Sequence, residues 1–205
     1  MKKLFILLFL LASFLYAENR QNKIIVYTSY RYNAVPDFML EPFWDEYQSV
    51  DGHSFSIQAT FRKGDFAYSL DLDMMNLSAK EGYWKQKDKA PDYVVIDTTY
   101  LNAGINFEWY FNFTPKFEMV SSLGIGLGTF LGEMTRYKTA GKYNDPKNPV
   151  FEKEDLKPPV FAHLLISLAF QYEVYKIQQK NPIFVKANFG FKNSFFSGLS
   201  LGYQF

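Results

Sequence analysis

Apolar and polar residues alternate along most of this chain in segments of roughly ten residues, the period of a β-strand with one face in each of two environments. The clearest segment sets Phe66, Tyr68, Leu70, Leu72 and Met74 against Ala67, Ser69, Asp71 and Asp73. Just before it, Phe55, Ile57, Ala59 and Phe61 alternate with Ser54, Ser56, Gln58, Thr60 and Arg62, and Lys63-Gly64-Asp65 joins the two as a tight hairpin. Ile24, Val26, Thr28, Tyr30 and Tyr32 form one face of a first strand against Tyr27, Ser29 and Arg31. A fourth sets Leu101, Ala103, Ile105, Phe107 and Trp109 against Asn102, Gly104, Asn106 and Glu108. In a fifth, Phe117, Met119, Leu123, Ile125 and Leu127 oppose Glu118, Ser122, Gly124, Gly126 and Gly128. Leu164, Ile166, Leu168, Phe170 and Tyr172 oppose His163, Ser167, Gln171 and Glu173 in a sixth, and Ile183, Val185, Ala187, Phe189 and Phe191 oppose Lys186, Asn188 and Gly190 in a seventh. The last sets Leu199, Leu201, Tyr203 and Phe205 against Gly198, Ser200, Gly202 and Gln204.

The connections alternate in length. Residues 34–52, 76–93 and 129–160 read as long polar loops, whereas 63–65, 112–115 and 176–182 are shorter; Lys192-Asn193-Ser194 is a short final connection on the long-loop side. An antiparallel sheet of about eight strands with long connections at one end and short ones at the other is the plan of an up-and-down barrel, and ten residues is the length of a tilted membrane-crossing strand. A soluble barrel or sandwich would share the period. The apolar face here carries Trp109, Phe107, Phe61, Phe66, Tyr68 and Tyr172, and such bulk suits lipid better than a narrow interior. The expected fold is therefore an all-β, antiparallel, up-and-down transmembrane β-barrel.

The first residues and the composition agree with an exported chain. Lys2 and Lys3 precede an apolar run from Leu4 to Leu15 that ends at Tyr16-Ala17, so residues 1–17 read as a cleaved signal peptide and 18–205 as one barrel domain. Aromatic residues make up 20% of the chain while the mean hydropathy is only −0.18, and no later apolar run reaches helix-spanning length. A formal net charge of +1 gives no nucleic-acid surface, and the absence of cysteine removes disulfides and lipid attachment at a cysteine.

The chain closes Leu199-Ser200-Leu201-Gly202-Tyr203-Gln204-Phe205. This strand resembles the C-terminal assembly signal of outer-membrane proteins. With the export signal and the hairpins, the mature chain resembles small eight-stranded barrels of the OmpX, OmpW and OmpA transmembrane-domain type. The resemblance implies a Gram-negative-type outer membrane, contact with its lipid and lipopolysaccharide, reading of Leu199, Leu201, Tyr203 and Phe205 by the barrel-insertion machinery, and a monomer. With no periplasmic domain after Phe205, the peptidoglycan-binding role of full-length OmpA-type proteins is not expected.

Candidate chemistry lies in the lumen and the loops. Arg62, Glu108, Glu118, Glu173 and Lys186 fall on the inward face of the periplasmic half, where they form either a plug of ion pairs or a gated polar path. Gly124, Gly126, Gly128, Gly190 and Gly198 face inward nearer the outside, either relieving strain in a curved wall or leaving a small cavity for apolar molecules, as in OmpW-like barrels. Some small barrels modify lipid A with a His and a Ser. His163 and Ser167 are about 13 Å apart at strand rise, too far for a nucleophile and its base, so no catalytic residues are expected. No cofactor motif, metal cluster or phosphate loop appears. The first loop holds Asp37, Phe38, Met39, Leu40, Glu41, Phe43, Trp44, Asp45 and Tyr47, and the third holds Lys138, Lys142, Lys147 and Lys157. Exposed aromatics mark contact surfaces, so Phe38, Phe43, Trp44 and Tyr47 are the expected contact residues for a host or envelope ligand. The role expected is structural or adhesion-like binding through the loops, with a narrow channel as the alternative and a lipid A-modifying enzyme behind both.

Overall fold

A computed structural model describes residues 23–79, 81–87, 91–138, 152–156, 160–177 and 181–205. The signal-peptide segment 1–17 and Lys142, Lys147 and Lys157 lie outside the described residues. In chain order the elements are β1 (Lys23–Val35), α1 (Asp37–Leu40), β2 (Trp44–Glu46), β3 (Val50–Lys63), β4 (Phe66–Ala79), β5 (Gly82–Gln86), β6 (Asp92–Thr114), β7 (Phe117–Lys138), β8 (Glu152–Leu156), β9 (Val160–Ile177), β10 (Asn181–Lys192) and β11 (Ser194–Gln204).

Strands β1, β3, β4, β6, β7, β9, β10 and β11 pair antiparallel, each with its neighbours, and the β1–β11 ladder joins the two ends of the run into a closed barrel. The ladder sets Thr28 opposite Leu201 and Tyr30 opposite Leu199, so the last strand has no free edge. Every face assignment made from the alternation holds. Phe55, Ile57, Leu72, Ile125 and Leu199 are each about 60% exposed on the outside, while Ser54, Thr60, Ser69, Asp71 and Glu108 are fully enclosed in the lumen. An outer wall of this kind is stable in lipid and would aggregate in water.

Local chemistry explains the hairpins. Gly64 opens the two-residue β3–β4 turn at φ 63°, the positive φ that a type II′ turn requires at its first position. Asn193 alone separates β10 from β11 at φ 62°, a conformation Asn tolerates, and its side-chain amide donates to Tyr100 Oη at 2.8 Å. Thr114 Oγ1 accepts from the backbone N–H groups of Lys116 and Phe117, which turns the chain between β6 and β7.

The described residues of two of the expected long loops are largely strand. β6 begins at Asp92 and β7 continues to Lys138, well beyond the ends at Leu101 and Gly128 that alternation marks. β5 pairs with the upper part of β6, β8 with the upper part of β7, and β2 with β5, giving eleven strands in one sheet. Above the membrane both faces of a strand are wetted, so Asp92-Tyr93-Val94-Val95 shows β-forming residues but no polar–apolar period. Counting ten residues of tilted strand as the membrane crossing, the β6–β7 ribbon stands roughly 20 Å above the outer surface.

Candidate functional site

The lumen is a stack of polar layers. At the periplasmic end the Arg62 guanidinium binds both carboxylate oxygens of Glu118, at 2.8 and 2.9 Å, and its Nε donates to Gly64 O at 2.8 Å. The same guanidinium lies 3.9 Å from the centre of the Tyr110 ring, and Tyr110 Oη donates to Glu108 Oε2 at 2.6 Å. Glu108 Oε1 accepts from Ser69 Oγ at 3.1 Å and from Gln58 Nε2. Lys186 Nζ sits 3.9 Å over the Tyr27 ring, Tyr27 Oη donates to Gln171 Oε1 at 2.6 Å, and Gln171 Nε2 donates to Glu118 at 3.1 Å. Thus four of the five charged residues expected in the lumen, Arg62, Glu108, Glu118 and Lys186, belong to one network. Tyr27, Tyr110 and Gln171 join them. Glu173 stands apart at the periplasmic rim, 3.4 Å from Lys176.

A second cluster lies nearer the outside. Lys192 Nζ is 2.7 Å from Asp71 and 3.4 Å from Asp73; Arg31 approaches the same two carboxylates at 3.9 and 4.0 Å and stacks 5.1 Å from the Phe196 ring. Asn102 Nδ2 donates to Asp73 at 3.1 Å. Alternation places Arg31, Asp71 and Asp73 inward, whereas reading 192–194 as a connection hides Lys192. The usable signal is parity, since Lys192 continues the inward series Lys186, Asn188, Gly190.

Between the layers a cavity of about 20 Å³ is bounded by Arg31, Gln58, Asn106, Glu108, Lys186 and Asn188, room for about one water. The periplasmic mouth is a vestibule of about 350 Å³ among Lys23, Lys116, Glu173 and Lys176 that ends on Arg62, Glu118 and Phe184. Larger side chains occupy the space before the inward glycines. A Cβ on Gly126 would collide with the His163 ring and one on Gly128 with the Tyr100 ring. His163 is thereby wedged, buried, against the wall, and His53 lies on the outer face, where its Nδ1 is 2.7 Å from Tyr30 Oη. Neither forms a catalytic pair with Ser167 among the bonds of the described residues.

On the extracellular side the four expected contact aromatics separate. Trp44 packs edge-on against Trp84 at 5.3 Å, joining the first loop to the protruding sheet, and Tyr47 is half-buried. Phe38 and Phe43 are each 62% exposed. A tyrosine row that alternation did not find runs across the outward face of the sheet. Tyr83, Tyr93 and Tyr137 are register neighbours on β5, β6 and β7, with ring centres 5.2 and 6.3 Å apart.

No protein-family model and no curated protein matches the chain. Among solved structures it is similar to Ail, the attachment invasion locus protein of Yersinia pestis, at 10% identity and TM-score 0.50, over 91% of this chain and 100% of that one. Neisserial surface protein A is a second likeness, at 13% identity and TM-score 0.48, over 89% of this chain and 95% of that one. The chain has the fold of the small eight-stranded transmembrane β-barrels, a closed antiparallel barrel with a layered polar lumen and a tall ribbon at one end.

Proposed function

We propose that the protein is a non-catalytic surface protein that binds a host or envelope macromolecule through its extracellular sheet. The observation that carries this reading is a contrast. Between the two charged layers of the lumen lies a cavity of only about 20 Å³, while β5, β6 and β7 hold Tyr83, Tyr93 and Tyr137 clear of the membrane. Tyrosine offers large contact area at little entropic cost, which suits a recognition surface. In this reading residues 1–17 direct export, and the lumen network is a structural plug.

The test has three measurements on one preparation. Purified protein in planar bilayers should show no steady conductance, and lipid A in co-incubated membranes should keep its mass. Cells displaying the triple variant Tyr83→Ser, Tyr93→Ser, Tyr137→Ser should adhere to host cells or extracellular matrix no better than cells lacking the protein, with the barrel present at parental level. Steady solute conduction would replace this reading by the channel, and lipid A deacylation abolished by His163→Ala would establish an enzyme.

The last strand is proposed to direct assembly, as an unpaired edge recognised by strand addition before the β1–β11 ladder forms. In the finished barrel the Phe205 N–H donates to Ile24 O at 2.9 Å and its ring meets Tyr203 at 4.7 Å, yet Phe205 stays 67% exposed. One ladder bond of about 1 kcal/mol is a small part of this barrel's stability. Deleting Phe205, or changing Tyr203 and Phe205 to Ser, should therefore lower the outer-membrane level about tenfold or more while barely changing refolding of the purified chain into vesicles. Equal levels in cell fractions would overturn the assignment.

A further inference from the structure

We propose that α1 and the turn after it form a foot on the outer leaflet, with Phe38 and Phe43 seated in lipid beside the barrel rim. This surface is distinct from the tyrosine row on which the function proposed above rests.

The wall supplies the height scale. Phe195, Ser197, Leu199, Leu201 and Tyr203 occupy successive outward positions on β11, and Phe205 follows its end. Ten residues of strand tilted about 40° rise about 26 Å, which matches the apolar band of about 25 Å on such barrels. With Tyr203 and Phe205 at the inner interface, Phe195 therefore sits at the level of the outer aromatic girdle. Phe191 is its outward neighbour on β10, 5.3 Å away between ring centres.

The first loop comes down to this point. Phe38 in α1 packs edge-on against Phe195 at 6.0 Å, so it lies beside the lipid-facing wall instead of above it. The rim is low here because Asn193 alone connects β10 to β11, and a loop can pass over it. Phe38 and Phe43 are each 62% exposed; the Phe38 ring is continuous with the wall that lipid already covers, and Phe43 follows it across the turn whose Phe43 N–H donates to Leu40 O at 2.9 Å. Asp37, Glu41 and Asp45 remain exposed around them, which suits an interface where rings enter lipid and charges stay wet. At the loop's other end Trp44 is pinned to Trp84 on β5. The loop thus ties the protruding sheet to the membrane surface.

The chain contains no cysteine, so Phe38→Cys and Phe43→Cys each give one labelling site for an environment-sensitive fluorophore. Glu81→Cys is the aqueous control, because Glu81 is exposed and precedes Gly82, which pairs with Val94 on the protruding ribbon. Proteins are refolded into phosphatidylcholine vesicles, with folding verified by the heat-dependent gel shift of a closed barrel. Nitroxides near the headgroup should quench positions 38 and 43 several-fold more than position 81, and iodide should show the reverse order. Iodide quenching at 38 and 43 equal to that at 81 would overturn the proposal and make the foot a free protein-binding surface. Protection from both quenchers would also overturn it, placing the rings under other parts of the chain. Should Phe38→Cys fail to fold, Phe43→Cys decides alone, because Phe43 is outside the Phe38–Phe195 ring contact. Neither outcome depends on the adhesion result of the tyrosine variant.

Discussion

Replacing Lys192 by Met should destabilise the barrel by about 3–5 kcal/mol, the typical effect of removing one partner from a buried charge cluster. Its ammonium is the near cation for two carboxylates, at 2.7 and 3.4 Å, and Lys192, Asp71 and Asp73 have side chains no more than 5% exposed. Arg31 cannot take over without moving. It is 3.9 and 4.0 Å from the same groups, beyond hydrogen-bonding distance, and its Nε and Nη1 have no hydrogen-bond partner among the described residues. Urea titration of the refolded protein in vesicles measures the change. Adding Asp71→Asn alone to Lys192→Met should recover much of the loss, because one buried cation, Arg31, then faces one buried carboxylate, Asp73. A loss below about 1 kcal/mol for Lys192→Met would show that water reaches the cluster freely and screens it like a surface pair.

Reversing Glu118 to Lys should be of similar size at the opposite end of the lumen. Glu118 accepts two bonds from Arg62 and one from Gln171. The reversal removes all three and sets two cations within a few ångströms inside a wall that lipid encloses. We expect a loss of at least about 3 kcal/mol, against about 0.5 kcal/mol or less for Glu41→Lys, an exposed loop acid. Arg62→Glu combined with Glu118→Arg should restore part of the stability, since the pair is then present in reverse. The same urea titration reads both, and equal effects of Glu118→Lys and Glu41→Lys would mean that the periplasmic vestibule is as wet as bulk solvent.

These two positions differ in how far the sequence exposes them. Glu118 and Arg62 are both readable as inward residues near the periplasmic end, because a period-two strand has only two faces and lipid tolerates only one of them. That constraint made the barrel class, its eight membrane-crossing strands and the inward or outward sense of the residues within those crossings legible. It lapses above the membrane, where water wets both faces. The extensions of β6 and β7, the added strands β2, β5 and β8, and the tyrosine row therefore carry no alternation to read.

Partnership inside the lumen was equally hidden. Arg62 meets Glu118 from 56 positions away and Lys192 meets Asp71 from 121. Strand tilt and stagger around the closed ring decide which inward side chains share a layer. Sequence spacing constrains height along a strand but not the neighbour across the lumen. For the same reason the inward glycines could be placed on a face, while only the folded ring shows that His163 and Tyr100 fill the space before Gly126 and Gly128. By itself the sequence determined which environment each strand residue meets, since two immiscible phases impose that choice locally. Which residues meet one another across the lumen was decided by closure of the barrel.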